Sequence, residues 1–255
     1  MLRVRIIPCL LLRDGSLAKT VRFRHPAYIG DPINTVRIFN ELEVDELAFV
    51  DICASVRNQA PDLNMLQQIA DECFMPLAYG GGIRDVAAAE RILQIGFEKL
   101  IVNSAALENP QLITDLARRF GSQAVIVSID VAQGTFGGYQ VVSHSATRAQ
   151  PAKPVEWAQE AERRGAGEIL LTSVRREGTW AGFDVPLTAR VTAAVGVPVI
   201  AHGGAGSIGH IGEVVRAGGA SAVALGSLVV YQSKGMGVLV NFPDKPALAR
   251  AVGGG

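Results

Sequence analysis

The chain repeats itself. Tyr79-Gly80-Gly81-Gly82-Ile83 closes one apolar run, and His202-Gly203-Gly204-Ala205-Gly206 closes another. The offset of 123 residues that carries Gly80 onto Gly203 also carries Gly81 onto Gly204, Gly96 onto Gly219 and Ser104 onto Ser227. Two halves, about residues 1–121 and 122–250, therefore hold the same order of strand, glycine turn, helix, strand and small-residue turn. A duplication of this kind points to two equivalent α/β half-barrels closing on one axis, with a matched pair of anion sites.

Short β-branched runs alternate with longer amphipathic stretches along the chain. Strands are predicted at 4–9, 46–50, 76–79, 99–102, 124–129, 168–171, 198–201 and 222–225, most of them apolar throughout, as strands covered on both faces are. Helices are predicted at 34–42, 63–72, 85–94, 110–119, 154–164, 185–194 and 208–217, with Ser, Asp or Pro near their starts. Strict β-then-α order implies right-handed crossovers between parallel strands. Eight such units in 255 residues match a single (β/α)8 barrel, for which about 250 residues is typical. No Ser/Pro-rich linker divides the chain, and Gly253-Gly254-Gly255 reads as a frayed tail or an added remnant.

The charge balance excludes some partners. With 24 basic and 24 acidic residues, nothing draws the whole chain toward nucleic acid or an anionic membrane, although a local basic cluster can still hold a phosphorylated small molecule. Cys9, Cys53 and Cys73 form neither a close pair nor a metal-type spacing, so reduced thiols are expected, with no metal and no cofactor. The longest apolar stretch, around 220–231, falls well short of a membrane span, and the start shows no leader pattern. A soluble cytoplasmic protein is the expectation.

In this architecture chemistry gathers where the strands end and the βα loops begin. Glycine there lets the backbone approach an anion, and exposed amides at a helix start favour negative charge. Gly81, Gly82, Asn103 and Ser104 form one expected phosphate cradle; Gly204, Gly226 and Ser227, helped by Gly178, form its twin. Two cradles across one mouth imply a long ligand with a charge at each end. Asp130 ends the fifth strand, where a carboxylate either transfers protons or caps a loop, and its counterpart in the first half is Leu11, which can hold no proton. Lys19 sits in a Gly-containing segment that is either a mobile lid over a ligand or a solvated loop. Asp51 either meets a ligand or caps its loop, and His202 either touches a ligand or packs as a surface ring. At the opposite end, Arg5, Glu46, Lys99 and Glu168 stand at or near the starts of strands one, two, four and six, where they are either solvated or joined in a ring of ion pairs.

These residues are similar to those of a known family. From end to end the chain resembles the HisF-type cyclase subunit of imidazole glycerol phosphate synthase, through Arg5-Ile6-Ile7-Pro8-Cys9, Gly30-Asp31-Pro32, Val44-Asp45-Glu46-Leu47, Gly80-Gly81-Gly82-Ile83, Asn103-Ser104-Ala105-Ala106, Phe120-Gly121-Ser122-Gln123, the run from Gly165 to Ser173, and Gly203-Gly204-Ala205-Gly206. The resemblance implies a barrel of the ribulose-phosphate-binding type, a glutaminase docked on its floor, and ammonia travelling through the barrel. Arg5, Glu46, Lys99 and Glu168 match that family's charged gate, which favours the ion ring. The catalytic end departs from the pattern. The family's cyclase uses one carboxylate per half; Asp130 matches one and Leu11 replaces the other. The family's Asp-Arg-Asp-Gly loop stands here as Arg175-Arg176-Glu177-Gly178.

Within the superfamily the chain looks most like paralogues associated with acetamidino-sugar modification in surface-polysaccharide gene clusters, through Cys9-Leu10-Leu11-Leu12, Cys73-Phe74-Met75-Pro76-Leu77 and Val238-Leu239-Val240-Asn241-Phe242-Pro243. That likeness implies delivery of ammonia to a separate ATP-dependent sugar amidotransferase. The alternatives are a true imidazole glycerol phosphate synthase cyclase, a lyase of histidine synthesis using Asp130 alone or with Glu177 or Lys19 recruited, and a non-catalytic phosphate-ligand sensor that regulates the glutaminase.

Overall fold

A computed structural model describes residues 4–134 and 137–253 of the chain. Its centre is a closed barrel of eight parallel strands: β1 (Arg5–Arg13), β2 (Leu47–Asp51), β3 (Leu77–Gly80), β4 (Lys99–Val102), β5 (Val125–Gln133), β6 (Glu168–Ser173), β7 (Val199–His202) and β8 (Ala222–Leu225). Each strand pairs with its neighbours in order, and the pairing of Arg5 with Ala222 and Ile7 with Ala224 closes the ring. The predicted (β/α)8 architecture is the observed one.

Alternation along each strand makes two cores. One set of side chains, Leu10, Phe49, Leu100 and Val127 among them, faces the outer helices and packs there with residues such as Phe39, Leu66 and Ile92. The other set fills the barrel interior with ten buried residues, four of which are alanine: Ala48, Ala78, Ala222 and Ala224. The helices Pro32–Glu41, Leu63–Glu72, Val86–Ile95, Val185–Thr192 and Ile208–Arg216 start on Asp31, Asp62, Asp85, Asp184 and Ser207, whose side chains accept first-turn amides. The helices Gln111–Phe120 and Pro154–Arg163 occupy the remaining predicted places.

Two features exceed the sequence reading. β1 and β5 run past the barrel rim, each into an antiparallel hairpin. After β1 come strands Ser16–Val21 and Arg24–Gly30; after β5 come Tyr139–Ser143 and the short Arg148–Ala149. The outer strand Arg24–Gly30 is exposed along most of its length, so it shows no apolar alternation and no periodic signal. Short helices Ala54–Arg57, Ser104–Glu108 and Ser227–Val230 follow β2, β4 and β8. Gly253 ends a last helix, Lys245–Gly253, whereas Gly254 and Gly255 lie outside the described residues. Among the described residues no helix is long and apolar enough to cross a membrane, and no group of three acidic, His or Cys side chains is placed to hold a metal. The three cysteines are free thiols.

Candidate functional site

Inward-facing residues at the C-terminal strand ends surround a cavity of about 480 Å3. Cys9, Ile101 and Leu170 of the barrel interior line it; burial pushes the Cys9 thiol up to about 12, so it is neither nucleophile nor acid at neutral pH. Asp130 looks into this space from β5. Burial raises its carboxyl to about 7, against the opposing hydrogen bonds of Thr172, Asn103 and Ser128. Asn103 Nδ2 donates to Asp130 Oδ2 at 2.8 Å. Thr172 lies in register with Asp130 on the adjacent strand and also shares a 3.1 Å hydrogen bond with His202 Nδ1. Burial, with Lys19 nearby, lowers the His202 imidazole to about 4, so it is neutral near pH 7. Asp130, Thr172 and His202 form a connected line across one wall, with Asp130 in the titration range of a general acid or base.

Ser128 and Thr172 were not selected from the sequence. The available signal was period two: Ser128 stands two residues before Asp130 on one strand, and Thr172 is its lateral neighbour. Leu11, 9% exposed, lines the same cavity with no titratable atom. The cavity therefore has Asp130 on the β5 side and an apolar wall at the end of β1, and the Asp51, Glu108 and Glu177 carboxylates also stand in its lining.

The two expected cradles differ. Gly81, Gly82, Asn103 and Ser104 line the cavity, with Arg84 and Arg148 on the same rim. Gly82 has a φ of +69°, and a Cβ there would meet the Gln59 carbonyl at 2.5 Å, so the turn requires glycine. The hairpin after β5 braces this side: the His144 amide donates to Ser104 Oγ at 3.1 Å, and Ser145 Oγ donates to the Ile52 carbonyl at 2.8 Å. Asp51 lines the cavity too, but its Oδ1 accepts from the Cys53 and Ala54 amides, which supports its reading as a loop cap.

Gly178, Gly204, Gly226 and Ser227 do not line the cavity. The hairpin after β1 covers Gly226 and Gly178, while Gly204 packs against Gly182 and Arg176. A Cβ on Gly226 would come 2.9 Å from Lys19 Cε, and one on Gly178 would come 2.5 Å from the Thr20 carbonyl. Lys19 is thus not a solvated loop residue. It is buried in a strand, with its ammonium paired to Glu177. Glu177 Oε2 also accepts from Thr20 Oγ1 and the Phe23 amide, both at 3.1 Å, while the Arg22 amide donates to the Glu177 carbonyl at 2.9 Å. Arg22 and Phe23 form the two-residue turn between paired Val21 and Arg24, with φ of +55° and +60°. Such a turn suits Asn and Gly, and left-handed backbone costs other residues about 1–2 kcal/mol each. Glu177 holds it in place.

At the other end of the barrel the four charged residues meet. Glu46 Oε2 accepts from Arg5 at 2.6 Å and from Lys99 at 2.9 Å; Lys99 reaches Glu168 Oε1 at 2.9 Å, and Arg5 completes the ring with Glu168. Two cations and two anions close on one another, so the ring is neutral. Glu46 Oε1 is buried without a hydrogen-bond partner among the described residues.

Fold and site together define a duplicated (β/α)8 barrel with a ligand cavity in its mouth and an ion-paired floor. The family described as histidine biosynthesis protein matches residues 5–234. A chain from Pseudomonas aeruginosa, provisionally named imidazole glycerol phosphate synthase subunit hisF2, is 50% identical over 244 residues, covering 96% of this chain and 97% of the relative. Similarly named subunits from Leptospira borgpetersenii (HisF, 44% over 252 residues, 97% and 99% covered) and Vibrio vulnificus (hisF3, 42% over 253 residues, 99% and 97% covered) match throughout. The chain belongs to this family, as a HisF-type synthase subunit.

Proposed function

We propose that the chain is the barrel subunit of a glutamine amidotransferase system that passes ammonia from a floor-docked glutaminase toward an ATP-dependent sugar amidotransferase. The product would be an acetamidino sugar of surface-polysaccharide (LPS O-antigen type) biosynthesis. The observation that carries this reading is Leu11 in the cavity wall, where a second proton-transfer group would otherwise stand. General acid–base groups are each worth about a hundred- to ten-thousand-fold, so a mouth with no acid at the end of β1, and with Glu177 held by Lys19, Thr20 and Phe23, suits delivery of a nucleophile better than a two-step cyclisation.

The floor supports the transport half of the reading. The neutral ring leaves one buried carboxylate oxygen, Glu46 Oε1, able to accept an N–H from an entering ammonia. The interior beyond it is apolar, with four alanines among its ten buried residues. Such a lining favours neutral ammonia over ammonium, because an unpaired ion is costly to bury. Phosphate recognition at Gly81, Gly82, Asn103 and Ser104 would supply ligand sensing or positioning at the exit.

Asp130 near its point of half-ionisation favours one second reading, a cyclase of histidine synthesis with a reduced catalytic set. The relatives' names fit that pathway equally well. Reconstitution separates the two. Glutamine-dependent amidine formation on an acetamido sugar, measured with glutaminase and amidotransferase, is expected to fall at least tenfold when this chain is left out, and ammonium salts should restore it. Equal glutamine use without the chain sinks the conduit. Robust ammonia-dependent cyclase turnover that is lost in Asp130→Asn would establish the second reading.

A further inference from the structure

We infer that the second cradle is filled by the chain's own Glu177 and Lys19, so that the mouth selects a ligand carrying one phosphate, bound at the Gly81–Ser104 side. This rests on the phosphorylated-ligand reading above and narrows it.

Three observations support it. Glu177 and Lys19 are both more than nine-tenths buried, and the carboxylate is saturated by donors from a single element, the hairpin after β1. Its cation partner Lys19 packs against Gly226 of the second cradle, so the pair brings an internal anion to the edge of the place where the duplication would put an external one. The glycines of this cradle make room for protein: Gly226 accommodates the Lys19 side chain and Gly178 the Thr20–Val21 backbone. Their counterparts at the 123-residue offset, Asn103 and Ser55, line the cavity instead.

The two hairpins make the asymmetry plain. The one after β5 meets its cradle through the His144 amide and Ser104 Oγ, leaving the cradle on the cavity wall. The one after β1 sends a cation into the corresponding space. A phosphate entering there would have to displace Glu177 from Lys19, Thr20 and Phe23 together. It would then sit beside a buried carboxylate stripped of its cation, which both desolvation and like-charge repulsion oppose. Glu177 is therefore a specificity-determining residue: it rejects a doubly phosphorylated ligand and keeps the hairpin closed without one.

Calorimetric titration of the full chain with inorganic phosphate tests this by stoichiometry. One phosphate per chain is expected for the native protein. Glu177→Gln should admit a second, with second-site affinity at least tenfold above any trace of it in the native chain, and should expose the Arg22–Arg24 turn to trypsin. Thr20→Val, which removes one donor at nearly constant volume, should move both readouts the same way by a smaller amount. Two phosphates on the native chain overturn the inference while leaving the phosphate reading intact. No phosphate on the native chain or on Glu177→Gln sinks the phosphate reading itself. A Glu177→Gln protein that melts normally, binds one phosphate and keeps its turn protected also overturns the inference.

Discussion

At Asp130 and His202 the same barrel wall perturbs two groups in opposite directions. Burial moves the carboxyl up to about 7 and the imidazole down to about 4. The folded chain therefore holds an extra proton at Asp130 between roughly pH 4 and 7, and stability falls with rising pH across that window. At His202 it lacks a proton between roughly pH 4 and 6.5, and stability rises with pH there, to be lost as pH falls through the folded value. Each slope is at most about 1.4 kcal/mol per pH unit. In the native chain the two oppose each other. Urea unfolding from pH 4 to 7 should accordingly show an upward slope with pH in Asp130→Asn, where His202 acts alone, and a downward one in His202→Gln. Parallel profiles for the two variants would contradict the assigned environments. Leu11 belongs to this scale as well: it removes a proton-transfer group without disturbing the strand, since apolar packing suits that place on β1.

Among the elements, the glycines of the turn after β3 and of the hairpin after β5 separate the demand of backbone conformation from that of packing. Gly82 needs both a left-handed conformation and the absence of a Cβ, because the Gln59 carbonyl lies in the way. Gly137 has a φ of +81°, and among the described residues nothing lies within 4 Å of where its Cβ would stand. Gly137→Ala should cost only the left-handed penalty of about 1–2 kcal/mol. Gly82→Ala should cost more than that, because a neighbouring backbone must also move; chemical denaturation of the pair gives the difference. Equal losses would mean that the turn after β3 yields freely. The hairpins show the limits of periodicity at this scale. Arg24–Gly30 has one exposed face after another, and its partner strand is legible only once Lys19 and Thr20 are seen buried against Glu177.

For the whole molecule, closure of the barrel brings together charges that are far apart in the chain. Arg5 and Glu168 are separated by 163 residues and yet share an ion pair in the floor. Removing one member strands the others in a poorly hydrated place, where breaking a buried pair costs about 3–5 kcal/mol. Lys99→Met should lose about that much by thermal or urea unfolding, and pairing it with Glu46→Gln should recover a good part, because the neutral sum is restored. If the double variant is no better than the single, the four residues do not act as one ring. In the reconstituted system the single variant is also expected to slow glutamine-driven transfer while leaving transfer from ammonium salts at the native rate.

Much of this was legible before any coordinates. The 123-residue duplication, the strand–helix alternation and the position of Asp130 at a strand end specify a closed barrel and the face that bears its site, because period and turn chemistry are local properties. The missing acid at Leu11 was legible for the same reason. The unequal fate of the two cradles was not. Gly81–Ser104 and Gly204–Ser227 carry the same glycine and serine landmarks at the same spacing, and only the path of the hairpin after β1 places Lys19 over one of them. That choice, like the floor ring and the line from Asp130 through Thr172 to His202, depends on contacts between distant segments. The sequence holds the residues for each; tertiary packing decides which of them touch, because burial and charge pairing are settled only when all eight strands have closed.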